Sequence, residues 1–480
     1  MSIDQALIEK ITLEILTKMQ TGAKAAPAGY GDGIFETVDD ALAATRKARQ
    51  ELKGCGLEKR EVFSKAMADV AYENATILAQ MAVDESGRGR VSDKIIKNQV
   101  RATVTPGTEN LTTQAWSGDN GLTINAMWAM GPAGASTPLT NPTETVICNG
   151  IGCIVGGNTA FFSPHPTAGN TSMYGITLLN MAIKGAGGPL NLLTSVMNPS
   201  LKAAAEMCKH PMIQMLVATG GPRLVAVILQ GGKKAIGSSR GNPPTIVSEF
   251  ADIERTSRDI VISCSLDNNI PCIAETSLIA PGSILKRVIT VFQKLGAYLI
   301  SGSNIDRLLN VIMAVQEEKI AEGCTDKPKR SYGKNKDYVA KDAKYLLSKI
   351  GIDVPDWVRN VACETPEDHP FVIEELHMPV LPVVQVKYID EAIEVAVRVE
   401  HPHRFTAMMH SKHVDHLTRF ARAVETTIFV KNAPSYAGIG VGGEGFTSFT
   451  LAGPTGEGIT SPRSFTRQRR CVLVDAFSIV

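Results

Sequence analysis

Short apolar runs alternate with stretches of helical periodicity over most of this chain, and this alternation restricts the folds that it can adopt. Between residues 124 and 381 the apolar runs include LVAVIL at 224–229 and DIVIS at 259–263, and a helical stretch covers 304–320. Strands that alternate with helices in this way usually form a mostly parallel sheet with helices packed against it. The sequence therefore predicts an α/β fold.

Length and charge narrow the class of protein further. A chain of 480 residues is too long for one hydrophobic core, so we expect two or three domains and a cleft between them. The formal net charge of +1 gives no overall field that would draw the protein to nucleic acid or to an anionic membrane. We find neither an apolar stretch of about 18 residues nor a secretory signal, which predicts a cytoplasmic protein without a membrane span.

The cysteines favour reduced thiols. There are nine, an odd number, and none has CxxC spacing. Such a set is typical of a protein in a reducing compartment, and it offers no pair of ligands for zinc. We therefore expect no metal site.

The first twenty residues have the pattern of an amphipathic helix. Apolar side chains recur every four positions from Ile3 to Met19, and a linker of small residues, TGAKAAPAGY at 21–30, separates this helix from the next domain. A helix with an apolar face and no attached core needs a partner, as in helix-in-groove recognition. The alternative is that it docks on its own chain or on the other subunit of a dimer.

Other segments predict further helices and strands but contain no nucleotide-binding motif. Residues 37–82 have an uninterrupted helical pattern, and a glycine-rich segment at 438–458 precedes a final strand at 471–480. The letters GVGGEG at 440–445 fit the dinucleotide expression G-x-G-x-x-G, but Thr, Gly and Pro follow where a helix is required. We interpret this match as a coincidence.

The segment DNNIPCIAE at 267–275 makes Cys272 the candidate nucleophile. Amide and carboxylate side chains precede a thiol that follows a proline, and an apolar stretch that favours a helix comes next. A thiol at the start of a helix is favoured as the thiolate by the helix dipole. Most cysteines are packing residues, so the neighbourhood of Cys272 carries this interpretation.

This segment resembles the nucleophile motif of the aldehyde dehydrogenase superfamily, in its CoA-acylating branch. The resemblance extends over about residues 35–480 through TNPT at 140–143, SPHP at 163–166, TGGP at 219–222 and EELHMPV at 374–380. It implies the aldehyde dehydrogenase fold, with a Rossmann-like NAD-binding domain, an α/β catalytic domain and a small β oligomerisation arm. The expected divisions are an encapsulation helix at 1–20, a linker at 21–30, an NAD/CoA-binding domain at 31–236 with an oligomerisation hairpin near 117–135, a catalytic domain at 237–445 and a C-terminal oligomerisation segment at 446–480.

The same resemblance implies roles for individual residues. The catalytic residues would be Cys272 as the nucleophile and Asn141 as the oxyanion donor. The nucleotide would be bound by three segments: the adenosine-ribose loop with Ser163 and His165, the turn under the pyrophosphate with Thr219, Gly220 and Gly221, and the loop that binds the nicotinamide ribose with Glu375 and His377. Each residue also has a structural explanation: an Asn before Pro forms turns, Ser163 can cap a helix, and the others can be ordinary loop residues. Their occurrence together with Cys272 favours the functional interpretation.

Two departures from the family's pattern bear on the reaction. Hydrolytic members carry a Glu-Leu-Gly-Gly-Lys motif whose Glu activates water, and LQGGK at 229–233 places Leu229 at that position. In the adenosine-ribose loop, Ser163 replaces a common Lys and Pro166 an acidic residue. The CoA-acylating branch shares such changes.

The resemblance thus implies an enzyme that oxidises a short-chain aldehyde with NAD and transfers the acyl group from Cys272 to CoA, in ping-pong order. The nearest likeness is to enzymes of bacterial microcompartments, which makes residues 1–20 an encapsulation peptide that binds shell or cargo proteins in the compartment lumen. The N-terminal pattern looks more like that of the propanediol-type enzyme, which favours propanal, with acetaldehyde as the alternative. A homo-oligomer, dimer or tetramer, is expected. The other possibilities are a hydrolytic aldehyde dehydrogenase, a non-redox acyltransferase and a structural shell-associated protein.

Overall fold

The computed structural model describes residues 33–238, 240–317, 330–400 and 403–478. The expected N-terminal helix and its linker lie outside these ranges. The described residues form two compact units: the first contains residues 33–87, 94–238 and 445–478, and the second contains residues 88–93 and 240–444.

The first unit is built on a six-stranded sheet in the order β1-β6-β5-β4-β7-β8, in which all neighbours are parallel. Its strands are β1 (Ile34–Phe35), β4 (Ala133–Thr137), β5 (Ala160–Pro164), β6 (Leu193–Val196), β7 (Met215–Thr219) and β8 (Lys234–Ser238). Its helices are α1 (Val38–Leu52), α2 (Leu57–Glu73), α3 (Ala75–Ser86), α4 (Val91–Val104), α5 (Pro142–Val155), α6 (Gly169–Gly185), α7 (Leu201–Lys209) and α8 (Pro222–Leu229). The first residues of α4 belong to the short segment of the second unit.

The central strands of this sheet are buried on both faces. All residues of β4, β5 and β7 are buried, as a parallel sheet covered by helices on both sides requires. A Cβ atom at Gly134 in β4 would come within 2.9 Å of the Met207 side chain on α7, so a glycine lets this helix approach the sheet. The strand order reverses between β4 and β7, which is the switch point of a doubly wound sheet.

A separate three-stranded antiparallel sheet also belongs to this unit. It joins β2 (Gln114–Gly118), β3 (Gly121–Ala129) and, from the C-terminal part of the chain, β20 (Thr466–Val474), in the order β2-β3-β20. Eight of the nine residues of β20 are exposed. In the same unit, β18 (Leu451–Ala452) pairs with β19 (Gly458–Ile459).

The second unit is built on a seven-stranded parallel sheet in the order β11-β14-β15-β10-β9-β16-β17. Its strands are β9 (Pro244–Val247), β10 (Ser277–Pro281), β11 (Ala297–Ile300), β14 (Asn360–Glu364), β15 (Val380–Val386), β16 (Thr406–His410) and β17 (Ile428–Lys431). A hairpin pairs β12 (Met313–Glu317) with β13 (Arg330–Lys334). The helices are α9 (Ile253–Ser265), α10 (Gly282–Lys294), α11 (Ser303–Ile312), α12 (Ala343–Ser348), α13 (Pro370–Ile373), α14 (Ile389–Glu400) and α15 (Val414–Val424).

The predicted α/β class is confirmed, but several local predictions are wrong. The apolar runs at 224–229 and 259–263 lie in α8 and α9, not in strands. Their burial shows why: Val225 and Ile228 are buried whereas Val227 and Leu229 are exposed, which is the period of a helix. A short apolar run does not distinguish a helix from a buried strand.

Two further boundaries differ from the prediction. The helix expected over 304–320 ends at Ile312, where β12 begins. The final strand starts five residues earlier than expected and ends at Val474, because Asp475 and Phe477 adopt left-handed backbone angles with φ of 54° and 58°. The helices predicted over 37–82 form, and within the described ranges no α-helix follows the glycines at 440–445, as the rejection of a dinucleotide turn there requires. No helix in the described ranges is long and apolar enough to span a membrane.

Candidate active site

Cys272 lies in a tight turn and not at the start of a helix. The Ala274 N–H donates to the Pro271 carbonyl at 3.0 Å, and the chain enters β10 at Ser277. The predicted helix after Cys272 is therefore wrong, because residues 273–281 complete a turn and then join the sheet. A helix dipole cannot be the cause of thiolate formation at this residue.

The residues before Cys272 hold a strained backbone. Asp267, Asn268 and Asn269 follow one another in the left-handed region with φ of 49°, 56° and 59°, and all three are buried. Asp and Asn tolerate this region better than other residues with a Cβ atom, which explains the DNN sequence. Consecutive left-handed residues persist only where the surroundings fix them.

Hydrogen bonds from distant segments supply that constraint. The Asp267 N–H donates to Asp93 Oδ2 at 2.8 Å, and the Arg90 N–H donates to Asp267 Oδ1 at 2.7 Å. Asn268 Nδ2 donates to the Ala340 carbonyl at 2.9 Å. The nucleophile turn is thus held by side chains that sequence analysis did not identify, since nothing in the local pattern around residue 90 points to residue 267.

Cys272 is the accessible thiol among the described cysteines of the second unit. Cys264 and Cys363 are buried, and burial raises the pKa of both thiols, that of Cys363 to about 12. Cys272 is partly exposed, and no described cysteine forms a disulfide. A thiolate nucleophile must be accessible to its substrate, which favours Cys272 over its two buried neighbours.

A buried carboxyl group stands three residues after Cys272. Glu275 Oε1 accepts a hydrogen bond from the Ser435 N–H at 3.1 Å, and the Glu275 carbonyl accepts one from Asn269 Nδ2 at 2.8 Å. Burial raises the pKa of Glu275 to about 7, although hydrogen bonds from Ser263 and Ser435 oppose the shift. The sequence did not single out Glu275, because the residue type alone does not show whether a glutamate is buried.

Glu375 presents an ionised carboxylate close to this turn in the same unit. Its Oε2 lies 3.1 Å from His377 Nε2 and 3.4 Å from Lys334 Nζ, and its Oε1 accepts from the Gly241 N–H at 3.3 Å. Burial alone would raise the pKa of Glu375, but His377 and Lys334 outweigh it and hold the pKa at about 2. A carboxylate kept in this state is a strong acceptor for hydroxyl groups.

The site residues of the second unit share one edge of its sheet. Gly241 precedes β9, Cys272 precedes β10, and Glu375 and His377 precede β15. These three strands are neighbours in the order β15-β10-β9 and run parallel, so their N-terminal ends lie at the same edge. The structure therefore brings together Cys272, Glu375 and His377, three of the residues singled out in the sequence.

The residues predicted in the first unit also share an edge, at the C-terminal ends of its strands. Asn141 follows β4, Ser163 lies in β5, and Thr219 ends β7, the strand on the other side of the switch point. Gly220 and Gly221 lead into the N-terminus of α8, where the helix dipole favours an anion. Ligands of doubly wound sheets bind at this edge and at the switch point.

These residues differ in their burial and in their hydrogen-bond partners. Asn141 is buried, its Nδ2 donates to Thr140 Oγ1 at 3.1 Å, and its Oδ1 has no hydrogen-bond partner among the described residues. The Thr219 hydroxyl is paired with that of Thr450 at 2.9 Å. His165 is exposed, and its Nδ1 accepts from the Thr167 N–H and hydroxyl.

The structure contradicts the interpretation of Leu229 as the position of a missing base. Leu229 is the last residue of α8, which returns from the C-terminal end of β7 to the N-terminal end of β8. It therefore lies at the sheet edge opposite to Ser163 and Thr219, and it is 47% exposed. LQGGK is similar to the hydrolytic motif in sequence but does not occupy a position at the predicted nucleotide site, so it gives no information about water activation.

No group of three or more His, Cys, Asp or Glu side chains in the described part of the chain is arranged to hold a metal ion. The chemistry of the second unit's site is that of a thiol, a carboxylate, an imidazole and an ammonium group. This set fits covalent catalysis with a bound nucleotide.

Comparisons with known proteins agree with this arrangement. The sequence model of the aldehyde dehydrogenase family matches residues 28–448. The acetylating acetaldehyde dehydrogenase EutE of Salmonella typhimurium is 42% identical over the full length of both chains.

Solved structures show the same likeness. The propionaldehyde dehydrogenase of Rhodopseudomonas palustris, determined with bound propionyl-CoA, has a TM-score of 0.89 and 45% identity over 94% of this chain and 97% of that one. The propionaldehyde dehydrogenase of the Clostridium phytofermentans fucose utilisation bacterial microcompartment has a TM-score of 0.88 and 44% identity over 93% of this chain and 100% of that one. Because the family model covers most of the sequence and full-length relatives exceed 40% identity, the chain belongs to the aldehyde dehydrogenase family.

Proposed function

We propose that this protein oxidises a short-chain aldehyde with NAD and transfers the resulting acyl group from Cys272 to CoA. The observation that carries the proposal is the accessible thiol of Cys272, held in a constrained turn at the same sheet edge as the ionised carboxylate of Glu375. Relatives and solved structures of CoA-acylating aldehyde dehydrogenases, similar over the full chain, support the same reaction.

The residues fit a nicotinamide nucleotide. The Glu375 carboxylate can accept hydrogen bonds from ribose hydroxyl groups, because Gly241 occupies only one of the acceptor positions of Oε1. The switch point between β4 and β7, with the N-terminus of α8 beside it, fits a pyrophosphate. NAD supplies the hydride acceptor and CoA the thiol that receives the acyl group.

The chain itself performs the covalent steps. The Cys272 thiolate attacks the aldehyde carbonyl, and the Asn141 amide with the Cys272 N–H stabilises the oxyanion, a contribution of about 3 kcal/mol per donor. Loss of hydride from that adduct leaves a thioester on Cys272. A CoA thiolate then attacks the thioester carbonyl, and Cys272 leaves as a thiolate.

The acceptor chemistry favours CoA over water. Water has a pKa of about 15.7 and needs a positioned base, whereas a thiol with a pKa of about 8.5 already contains a few per cent thiolate at neutral pH. Transfer to a thiol therefore needs no dedicated carboxylate. The product is an acyl-CoA, which keeps the thioester bond.

Propanal is the substrate that we propose, with acetaldehyde second. Two of the similar solved structures are propionaldehyde dehydrogenases, and the EutE relative is an acetaldehyde dehydrogenase. Comparing kcat/KM for propanal and acetaldehyde decides between them. A higher value for acetaldehyde would reverse the order.

We further propose that the enzyme works in the lumen of a bacterial microcompartment as a homo-oligomer. A similar structure comes from a microcompartment enzyme, and residues 1–20 have the pattern of an amphipathic peptide that binds shell or cargo proteins. The exposed apolar side chains Trp116, Val472 and Val474 on the β2-β3-β20 sheet offer a surface for a second copy.

One assay separates the proposal from its rivals. The protein is mixed with propanal and NAD, with and without CoA, and both NADH and the acyl product are measured. We expect propanoyl-CoA and NADH in equal amounts when CoA is present. Free propanoate would indicate a hydrolytic dehydrogenase, acyl transfer without NADH a non-redox acyltransferase, and no reaction a structural protein.

A further inference from the structure

His377 touches both parts of the candidate site in the second unit. Its Nε2 lies 3.1 Å from Glu375 Oε2, and its ring lies within reach of the backbone of Ile270, two residues before Cys272. The ring is largely buried, and its backbone is left-handed with φ of 54°. A non-glycine residue in this region, at a predicted cofactor loop, indicates a placement that the surroundings impose.

The backbone of His377 makes a second connection to the nucleophile turn. Its carbonyl accepts a hydrogen bond from the Ala340 N–H at 2.8 Å, and the Ala340 carbonyl accepts one from Asn268 Nδ2 at 2.9 Å. Ala340 is itself left-handed, with φ of 57°. Two independent routes therefore run from His377 to the strained segment before Cys272, one through the ring and one through Ala340.

Groups of opposite effect on the pKa of His377 surround its ring. Glu375 and the backbone of Ile270 both favour an N–H on the ring, whereas the neutral imidazole carries only one. Burial lowers the pKa of His377, Glu375 raises it and Lys334 lowers it. The ionic groups around Glu375 and His377 are Lys334, Arg240, Glu374, Glu400 and His403.

We propose that His377 is a positioning residue that couples nucleotide binding at Glu375 to the placement of Cys272. The inference rests on the proposed function, in which Glu375 binds the nicotinamide ribose. A ribose hydroxyl that donates to Glu375 weakens the hold of that carboxylate on His377. The ring then shifts its hydrogen bonding toward the Ile270 carbonyl, and the turn that carries Cys272 moves with it.

The test measures the rate at which iodoacetamide alkylates Cys272 in the full-length protein, with and without saturating NAD. Peptide mapping locates the label, and a separate titration gives the NAD dissociation constant of each variant. His377→Met removes both ring contacts, His377→Gln keeps one donor, and His403→Gln changes a nearby histidine that does not contact Ile270. Melting temperatures show whether each variant is folded.

In the wild type we expect NAD to change the alkylation rate by about fivefold or more, the lower range of coupling between sites. In His377→Met the change should fall below about twofold although NAD still saturates, and His377→Gln should be intermediate. His403→Gln should behave like the wild type.

An equal effect of NAD in the wild type and in His377→Met overturns the proposal, as does no effect in the wild type or loss of the effect in His403→Gln. If the proposed function itself is wrong, these experiments give a different result. In that case the label maps to another cysteine, or Cys272→Ala still oxidises aldehyde. If His377→Met does not fold, the comparison of His377→Gln with His403→Gln carries the test.

Discussion

At the scale of single residues, exposure separates Cys272 from Cys264 and Cys363. Both neighbours are fully buried in the second unit, and burial raises the pKa of their thiols. We expect Cys272→Ala to lower kcat/KM for aldehyde oxidation by a factor on the order of 10³ or more, because the other described cysteines of the second unit are buried and cannot replace it. NAD binding should be retained.

Cys264→Ala is the matched control, since Cys264 is eight residues away in the same unit. It should keep the activity and lose only some thermal stability, because its sulfur accepts a hydrogen bond from Asn360 at 2.7 Å. Activity that survives in Cys272→Ala and disappears in Cys264→Ala would reverse the assignment.

Leu229 gives a second prediction at this scale. A carboxylate at this exposed helix end lies at the wrong edge of its sheet to reach the predicted nucleotide site. We therefore expect Leu229→Glu to leave the ratio of free acid to acyl-CoA within about twofold of the wild type, compared with the 10²- to 10⁴-fold that a positioned base contributes. A large gain in CoA-independent acid would show that residue 229 does face the thioester.

The sequence predicted residue types better than it predicted their surroundings. Cys272, Glu375 and His377 were singled out from local motifs and lie at one sheet edge. Lys334 and Asp93, which hold Glu375 and Asp267, were missed because they lie far away in the sequence. Contacts of that kind depend on the topology and leave no local pattern.

At the scale of elements, Glu275 links the nucleophile turn to α9 and to the segment at Ser435. Its carboxyl group accepts a hydrogen bond from the Ser435 N–H, and the Ser263 hydroxyl lies 2.6 Å from that of Ser435. Because the folded pKa of about 7 exceeds the unfolded value of about 4.3, the folded state binds the extra proton between these values. The stability from this group is complete below about pH 4.3 and is lost as the pH rises through 7.

Glu275→Gln tests this sign, because the amide imitates the protonated acid. The variant should match the wild type in thermal stability near pH 4 and exceed it by a growing margin up to pH 8, where the difference should be on the order of 1 kcal/mol or more. The measurement is the melting temperature of both proteins across this range. A variant that is less stable than the wild type at pH 8 would mean that the native carboxyl group is ionised and well solvated.

Element boundaries show where periodicity fails as a predictor. The apolar run at 259–263 is helical because Ile260, Val261 and Cys264 are buried while Ile262 is exposed. The expected helix after Cys272 does not form because that stretch enters β10. In both segments packing decides between helix and strand, and a run of five or six apolar residues fits either.

At the scale of the whole molecule, the N-terminal segment gives a prediction that is independent of the site. Deleting residues 1–20 should leave kcat and KM of the purified enzyme nearly unchanged and remove its targeting to a microcompartment. The reason is the separate apolar stripe with a linker behind it. The same twenty residues fused to a fluorescent protein should give punctate fluorescence in cells that make shells.

A helix that docks on its own chain gives the opposite result in both experiments. The deletion then lowers the stability of the purified enzyme, and the fusion stays diffuse although shells are present. An internal segment of similar length and charge, fused in the same way, is the control for nonspecific aggregation.

In the proposed mechanism the acyl group stays on Cys272 until a thiol accepts it. The most direct measurement is the stoichiometry of NADH formed on rapid mixing with propanal and NAD in the absence of CoA. We predict a burst near one NADH per Cys272, then little turnover, and steady formation of NADH and propanoyl-CoA once CoA is added. Rapid multiple turnover to free propanoate without CoA would show that water, and not CoA, accepts the acyl group from Cys272.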